Sequence, residues 1–143
     1  MFPPSSLPLT VWTGRWAVCR LAPDAAVPAW ASMPWRLSAI ARTSGELSLL
    51  VPEQAVPGMP AMPVERGFRV IAVSGPVPFS VVGLFASLAV PLAEAGVSLF
   101  PLATYDTDYV LVKEPDLPRA VDALRRSGWT VTQDTEQFGP DRT

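Results

Sequence analysis

The chain has no histidine, a single cysteine and a single lysine, and each scarcity closes off a class of function. Without histidine, the commonest general base and the commonest metal ligand are missing. One thiol, Cys19, allows neither an intrachain disulfide nor a thiolate zinc cluster. It sits in the apolar run Trp16-Ala17-Val18-Cys19, where a buried core residue is expected rather than a nucleophile. The eleven basic residues are scattered and the net charge is −2, so nothing resembles the clustered Lys and Arg of a nucleic-acid footprint. Charged residues make up only 17% of the chain against 49% hydrophobic, which excludes disorder and supports a sizeable core. At 143 residues the chain suffices for one ordinary domain or two very small ones.

The start of the chain, MFPPSSLPLT, lacks the basic and apolar regions of a secretory signal, so a cytoplasmic protein is expected. Residues 76–93 carry no charge and need a membrane check. Prolines and serines interrupt them, and a helix over 80–95 would reach only ~24 Å against a ~30 Å hydrocarbon core. A buried helix of a soluble protein fits better, and no membrane association is expected.

Residues 7–52 read as four short strands with at most one helical turn. Leu7 to Trp12 and Arg15 to Leu21 flank Thr13-Gly14 and read as a hairpin, with Pro8 suggesting an edge position. A helical turn fits Ala29 to Ser32. Trp35 to Thr43 and Glu46 to Val51 form a second pair around Ser44-Gly45. The segment PEQAVPGMPAMP, Pro52 to Pro63, cannot continue a helix or a central strand and reads as a linker. The division expected is therefore 1–63 and 64–143.

The second part spells strand, helix, strand, strand, helix, strand over about 68–132. Phe68 to Val73 is the first strand. Ser80 is placed to cap a helix whose Leu84, Leu88 and Leu92 stack at i, i+4 spacing. Pro91 removes the N–H that the Ser87 carbonyl would accept, and Gly96 ends the helix. Strands follow at Val97 to Ala103 and Tyr109 to Lys113, joined by Thr104-Tyr105-Asp106-Thr107-Asp108. Asp116 caps a second helix with Pro118 in its first turn and Leu117, Ala120, Val121 and Leu124 as its buried stripe. Gly128 stops it before a last strand, Trp129 to Thr132. With both helices on one face, right-handed crossovers place the first and third strands side by side in the centre.

Over the run GPVPFSVVGLFASLAVPLAEAGVSLFPLATYDTDYVLVKE this unit resembles a branch of the ACT-domain superfamily. The pieces that carry the likeness are Gly75-Pro76 with Phe79-Ser80, then Pro91 to Gly96, then Thr104 to Asp108. The branch comprises small bacterial tandem ACT-like proteins and the related CASTOR-type arginine sensors. A weaker likeness to the abbreviated domain that precedes it there rests on Val18 to Leu21, Pro28 to Trp30 and Thr43 to Ser48. The resemblance implies an α+β fold: a C-terminal, ferredoxin-like βαββαβ ACT domain packed with a smaller β-rich, ACT-like N-terminal unit. It also implies regulation rather than catalysis, with an amino acid or similar effector bound where ACT units pair.

Three places could receive such an effector. Gly75, Ser80, Val81 and Val82 would offer close backbone approach and helix N-terminal N–H groups to a carboxylate. The structural alternative is that Ser80 only caps and the prolines only shape the turn. Asp106 and Asp108 could hold a cation, with Thr104, Tyr105 and Thr107 beside them. The alternative is a hairpin loop that hydrogen-bonds itself. The i, i+2 carboxylates without a third acidic neighbour suit neither metal nor hydrolysis. Among Trp30, Trp35, Thr43, Glu46 and Ser48, packing and turn roles are the alternative to a contribution by Glu46 and Ser48 to a shared pocket. The expectation is a non-enzymatic effector-binding homodimer acting on an unidentified protein partner, with no cofactor and no metal. The competing expectation is a ligand-free scaffold that dimerises through ACT sheets, whose edges a single lysine leaves poorly protected.

Overall fold

The computed structural model of the chain describes residues 7–134; the Pro/Ser-rich start, 1–6, and the polar end, 135–143, lie outside the described residues. Among these residues eight strands and two α-helices follow in the order β1 (Leu9–Val11), β2 (Trp16–Leu21), β3 (Ala39–Arg42), β4 (Leu47–Pro52), β5 (Val64–Val73), α1 (Leu84–Glu94), β6 (Leu99–Ala103), β7 (Asp108–Lys113), α2 (Leu117–Arg126) and β8 (Val131–Gln133). They divide into two compact units, residues 7–13 with 69–134 and residues 14–68, so that β5 serves both.

The unit of 7–13 and 69–134 contains the expected strand–helix–strand–strand–helix–strand series, with its first and third strands, β5 and β7, adjacent. The fold class is α+β and ferredoxin-like. Its sheet differs from the expectation in one respect. β1 is neither an edge strand nor half of a hairpin; it lies between β5, antiparallel with Leu9 opposite Val73, and β8, parallel with Leu9 opposite Val131. Burial supplies the reason, because Leu9 and Val11 are fully enclosed in the core beneath the helices and only a two-sided position covers them. Pro8 stands just outside the ladder, where its carbonyl accepts the Ser74 N–H at 3.0 Å and its missing donor costs nothing. The two runs expected to pair with each other pair instead with β5 in turn, β1 along its end and β2 along its beginning.

Helix α1 buries Leu84, Leu88 and Leu92, as their spacing predicts. Its start is four residues later than expected. Gly83 sits at φ 85°, outside helical geometry, and the Val81 N–H closes a turn on the Pro78 carbonyl. Ser80 is therefore an exposed turn residue and not a cap. Pro91 does leave Ser87 without its helical donor, and the indole N–H of Trp129 donates to that carbonyl at 3.2 Å. Past the helix the Val97 N–H reaches the Leu92 carbonyl at 2.9 Å across Gly96, at φ 73°. Helix α2 closes alike, Trp129 N–H to Leu124 carbonyl, and buries Ala120, Val121, Ala123 and Leu124. Asp116 makes no capping bond; its carboxylate takes Arg119 at 3.0 Å, an exposed pair of small energetic weight.

In the unit of 14–68, β2 pairs antiparallel with β4, and β4 with β3. The Thr43 hydroxyl accepts the N–H groups of Gly45 and Glu46 and fixes the expected turn. Cys19 is fully buried with Ala17, Leu47, Leu49 and Val51, and burial pushes its thiol above the ordinary value. The tryptophans pack and bond locally, Trp35 Nε1 to the Trp30 carbonyl and Trp16 Nε1 to that of Leu37. The proline-rich segment is more than a linker: Pro52 closes β4, a 3-10 turn follows at Glu53–Ala55, and Ala55 and Val56 are buried. No helix among the described residues is long and apolar enough to cross a membrane.

Candidate functional site

Two loops of the ferredoxin-like unit meet. The first, 74–83, joins β5 to α1; the second, 104–107, joins β6 to β7. The Val77 N–H donates to the Asp106 carbonyl at 2.6 Å, and the Thr107 hydroxyl to the Val73 carbonyl at 2.8 Å. Gly75 lies at the junction. A Cβ built there would stand 3.0 Å from the Asp106 carbonyl oxygen and 3.0 Å from Thr107 Cβ. The glycine thus admits the neighbouring loop. Gly75→Ala forces that backbone apart and is expected to cost about 1–3 kcal/mol, read as a lower urea midpoint. An unchanged midpoint would show that the loops part freely.

Between the loops and the first turn of α1 lies a groove of about 410 Å³. Val77 and Val81 wall one side and Leu84 and Phe85 another, while Ala103 and Asp108 come from the β6–β7 hairpin. At its mouth the rings of Phe79 and Tyr105 meet edge to face, centroids 4.9 Å apart, although the residues are 75% and 80% exposed. Among the described residues Asp108 is the only charged one lining the groove. It is half-buried, desolvation holds its carboxyl above the usual carboxylate range, and its side chain has no hydrogen-bond or ion-pair partner among the described residues. The first intrahelical bond of α1 runs from the Ser87 N–H to the Gly83 carbonyl. The N–H groups of Leu84, Phe85 and Ala86 precede it, so they have no carbonyl one turn back and form the positive end of the helix.

Of the residues singled out from the sequence, Val81, Thr104, Tyr105, Thr107 and Asp108 line this groove, whereas Gly75, Ser80, Val82 and Asp106 do not. The threonines satisfy their own hairpin: Thr104 Oγ1 donates to the Thr107 carbonyl at 3.1 Å and accepts the Thr107 N–H at 3.4 Å. Glu46 and Ser48 belong to the β3–β4 hairpin of the unit formed by 14–68, Glu46 with its N–H on Thr43 and Ser48 within β4. Sequence reasoning missed Phe79, Phe85 and the amides of Leu84 to Ala86. A helix start read at Gly83 would have found the amides. In the unit of 14–68, a second groove of about 420 Å³ runs beside Arg20, Leu21 and Met62. No group of His, Cys, Asp or Glu among the described residues could hold a metal ion.

Residues 64–126 match the family model of the ACT domain, and residues 14–59 match a model described as an N-terminal domain. Among solved structures the chain is similar to protein Atu0741 from Agobacterium tumefaciens, 28% identical, covering 93% of this chain and 97% of that one at a TM-score of 0.83. It is also similar to VC0802 from Vibrio cholerae, a protein of unknown function, 23% identical over 86% and 91% of the two chains at 0.68. The ligand-free regulatory subunit of aspartate kinase from Thermus thermophilus shares the fold at 11% identity, over 84% and 97%, with a TM-score of 0.61. The C-terminal part of the chain thus has the α+β, ferredoxin-like fold of an ACT domain.

Proposed function

We propose that this protein is a non-enzymatic regulator that binds an amino acid or similar small effector in the groove of its ACT-type unit. One observation carries the reading: Asp108, an unpartnered carboxylate, and Leu84, Phe85 and Ala86, whose N–H groups open α1, line the same groove. A zwitterion has the two charges those groups complement, its ammonium for Asp108 and its carboxylate for the amides. The carboxylate seat expected at Ser80 to Val82 is accordingly moved to Leu84, Phe85 and Ala86. The ACT match over 64–126 supports the regulatory part. Kinship with the CASTOR-type sensors, a homodimer and a cytoplasmic setting complete the proposal. β6 pairs only with β7 among the described strands and leaves an edge on which a second copy can pair. Effector binding would tighten that pairing, and a separate protein would read the change.

A thermal-shift screen of the full chain against the twenty amino acids tests the reading. A ligand at a hundred times its Kd adds ~2.7 kcal/mol, enough for a rise of several degrees. Sedimentation with the hit should show tighter pairing; unchanged assembly would sink the readout and leave the binding. Silence across the panel, with a dimer indifferent to ligand, would favour a scaffold.

Asp108→Asn separates a binding carboxylate from a structural one. Burial raises the folded pKa of Asp108 above its unfolded value, so its contribution to stability is present below the unfolded pKa and lost as pH rises through the folded one. At neutral pH the amide should therefore leave the free protein as stable as before, or more so. Affinity for the effector should fall about tenfold or more with the charge-assisted bond gone. In the wild type, affinity should weaken as pH falls through the raised pKa. A destabilised variant with undiminished affinity would reverse the assignment.

A further inference from the structure

Resting on that reading, we infer that the effector carries one amine and a bulky apolar or aromatic body, and that Phe79 and Tyr105 set this preference. The two rings are largely in water, yet they stand on loops tied together by the Val77–Asp106 and Thr107–Val73 hydrogen bonds. They are held against each other edge to face, with the apolar wall of Val77, Val81, Leu84 and Phe85 on the groove they border. Exposed aromatic surface fixed at the mouth of an apolar groove is surface a ligand can cover.

Charge narrows the class. No cationic side chain among the described residues lines the groove, so once the effector carboxylate takes the first-turn amides of α1 a second anionic group has no partner and would meet Asp108. Asp108 is a single carboxylate, and an effector amine occupies it. A second cation, as on lysine or arginine, has no second carboxylate to meet. Both threonine hydroxyls that reach the groove are engaged within the loops, leaving little to recognise a polar side chain. A neutral body is what remains, and a groove of about 410 Å³ accommodates an aromatic amino acid.

Titration calorimetry of the full chain with phenylalanine, tryptophan, leucine, glycine, aspartate, lysine and arginine tests this. At least one of the first three should bind about tenfold or more tighter than glycine, aspartate, lysine or arginine. Phe79→Ala and Tyr105→Ala should each close that gap over glycine, while Tyr105→Phe, which keeps a ring, should preserve it. Both positions are exposed, and unchanged circular dichroism would confirm that the variants fold. If glycine, aspartate, lysine or arginine bound as tightly as the apolar amino acids, with Asp108→Asn still weakening binding about tenfold or more, the inference would fall and the site would stand. If none of the seven bound while another of the twenty amino acids did, the inference alone would fall; if none of the twenty bound, both would fall.

Discussion

Leu88→Ala is expected to destabilise the fold by about 2–5 kcal/mol and to lower the melting temperature by roughly 10 °C. Leu88 is 1% exposed at the middle of the α1 stripe, in the cluster that includes Ile71, Val110, Val121 and Leu124. Truncation loses the transfer energy of the removed atoms and leaves a void that strands on one side and a second helix on the other cannot readily fill. The loss should also reach the groove, since Leu84, Phe85 and Ala86 at the start of this helix carry the amides assigned to the effector carboxylate. Affinity should therefore weaken along with stability. Urea midpoints at constant slope measure the first effect and calorimetry the second. Val90→Ala on the same helix is the control: at 55% exposure it should move stability by no more than about 0.5 kcal/mol. Equal effects at the two positions would mean that α1 does not bury the face described.

That face could be read in advance, because leucines four apart admit one helical reading and the structure buries all three. The helix ends were legible for the same kind of reason. Gly96 and Gly128 both take positive φ where a stop was expected. The start of α1 was not. Serine is among the most favoured caps and glycine ranks only a little below it, so local preference leans to Ser80 without deciding, while the chain turns on Gly83. What decides is the preceding loop, held by Asp106 from another part of the chain. The place of β1 is a larger case of the same limit. Leu9 pairs with Val73 and with Val131, far along the sequence, and a three-residue strand carries no local mark of its partners. The β6–β7 hairpin loop announced itself through Thr104 and Thr107, whose bonds it satisfies. Tyr105 was singled out only as part of that loop and Phe79 not as a site residue at all, since an exposed aromatic in a loop has neither periodicity nor a turn preference, and only the meeting of two loops brings the rings together.

Pro91 and Trp129 show how one such distant contact repairs a local fault, and they support the most demanding prediction. Trp129 is 3% exposed, and Trp129→Ala is expected to cost about 3–5 kcal/mol, through lost packing and a stranded carbonyl together. Trp129→Phe isolates the second component. It keeps an aromatic ring in the core but removes the N–H that Ser87 accepts at 3.2 Å, for about 1–3 kcal/mol. The cause of that dependence lies in α1 itself, where residue 91 would supply the donor if it were not proline. In a Pro91→Ala background the amide of residue 91 can reach the Ser87 carbonyl, and the indole becomes dispensable. The phenylalanine substitution should then cost less, with a coupling of at least about 0.5 kcal/mol across the double-mutant cycle. Additive effects would mean that Trp129 acts by packing alone. Coupling would show that the proline of α1 is tolerated because the left-handed turn at Gly128, with the Trp129 N–H bonded to Leu124, directs the indole of the next residue onto it.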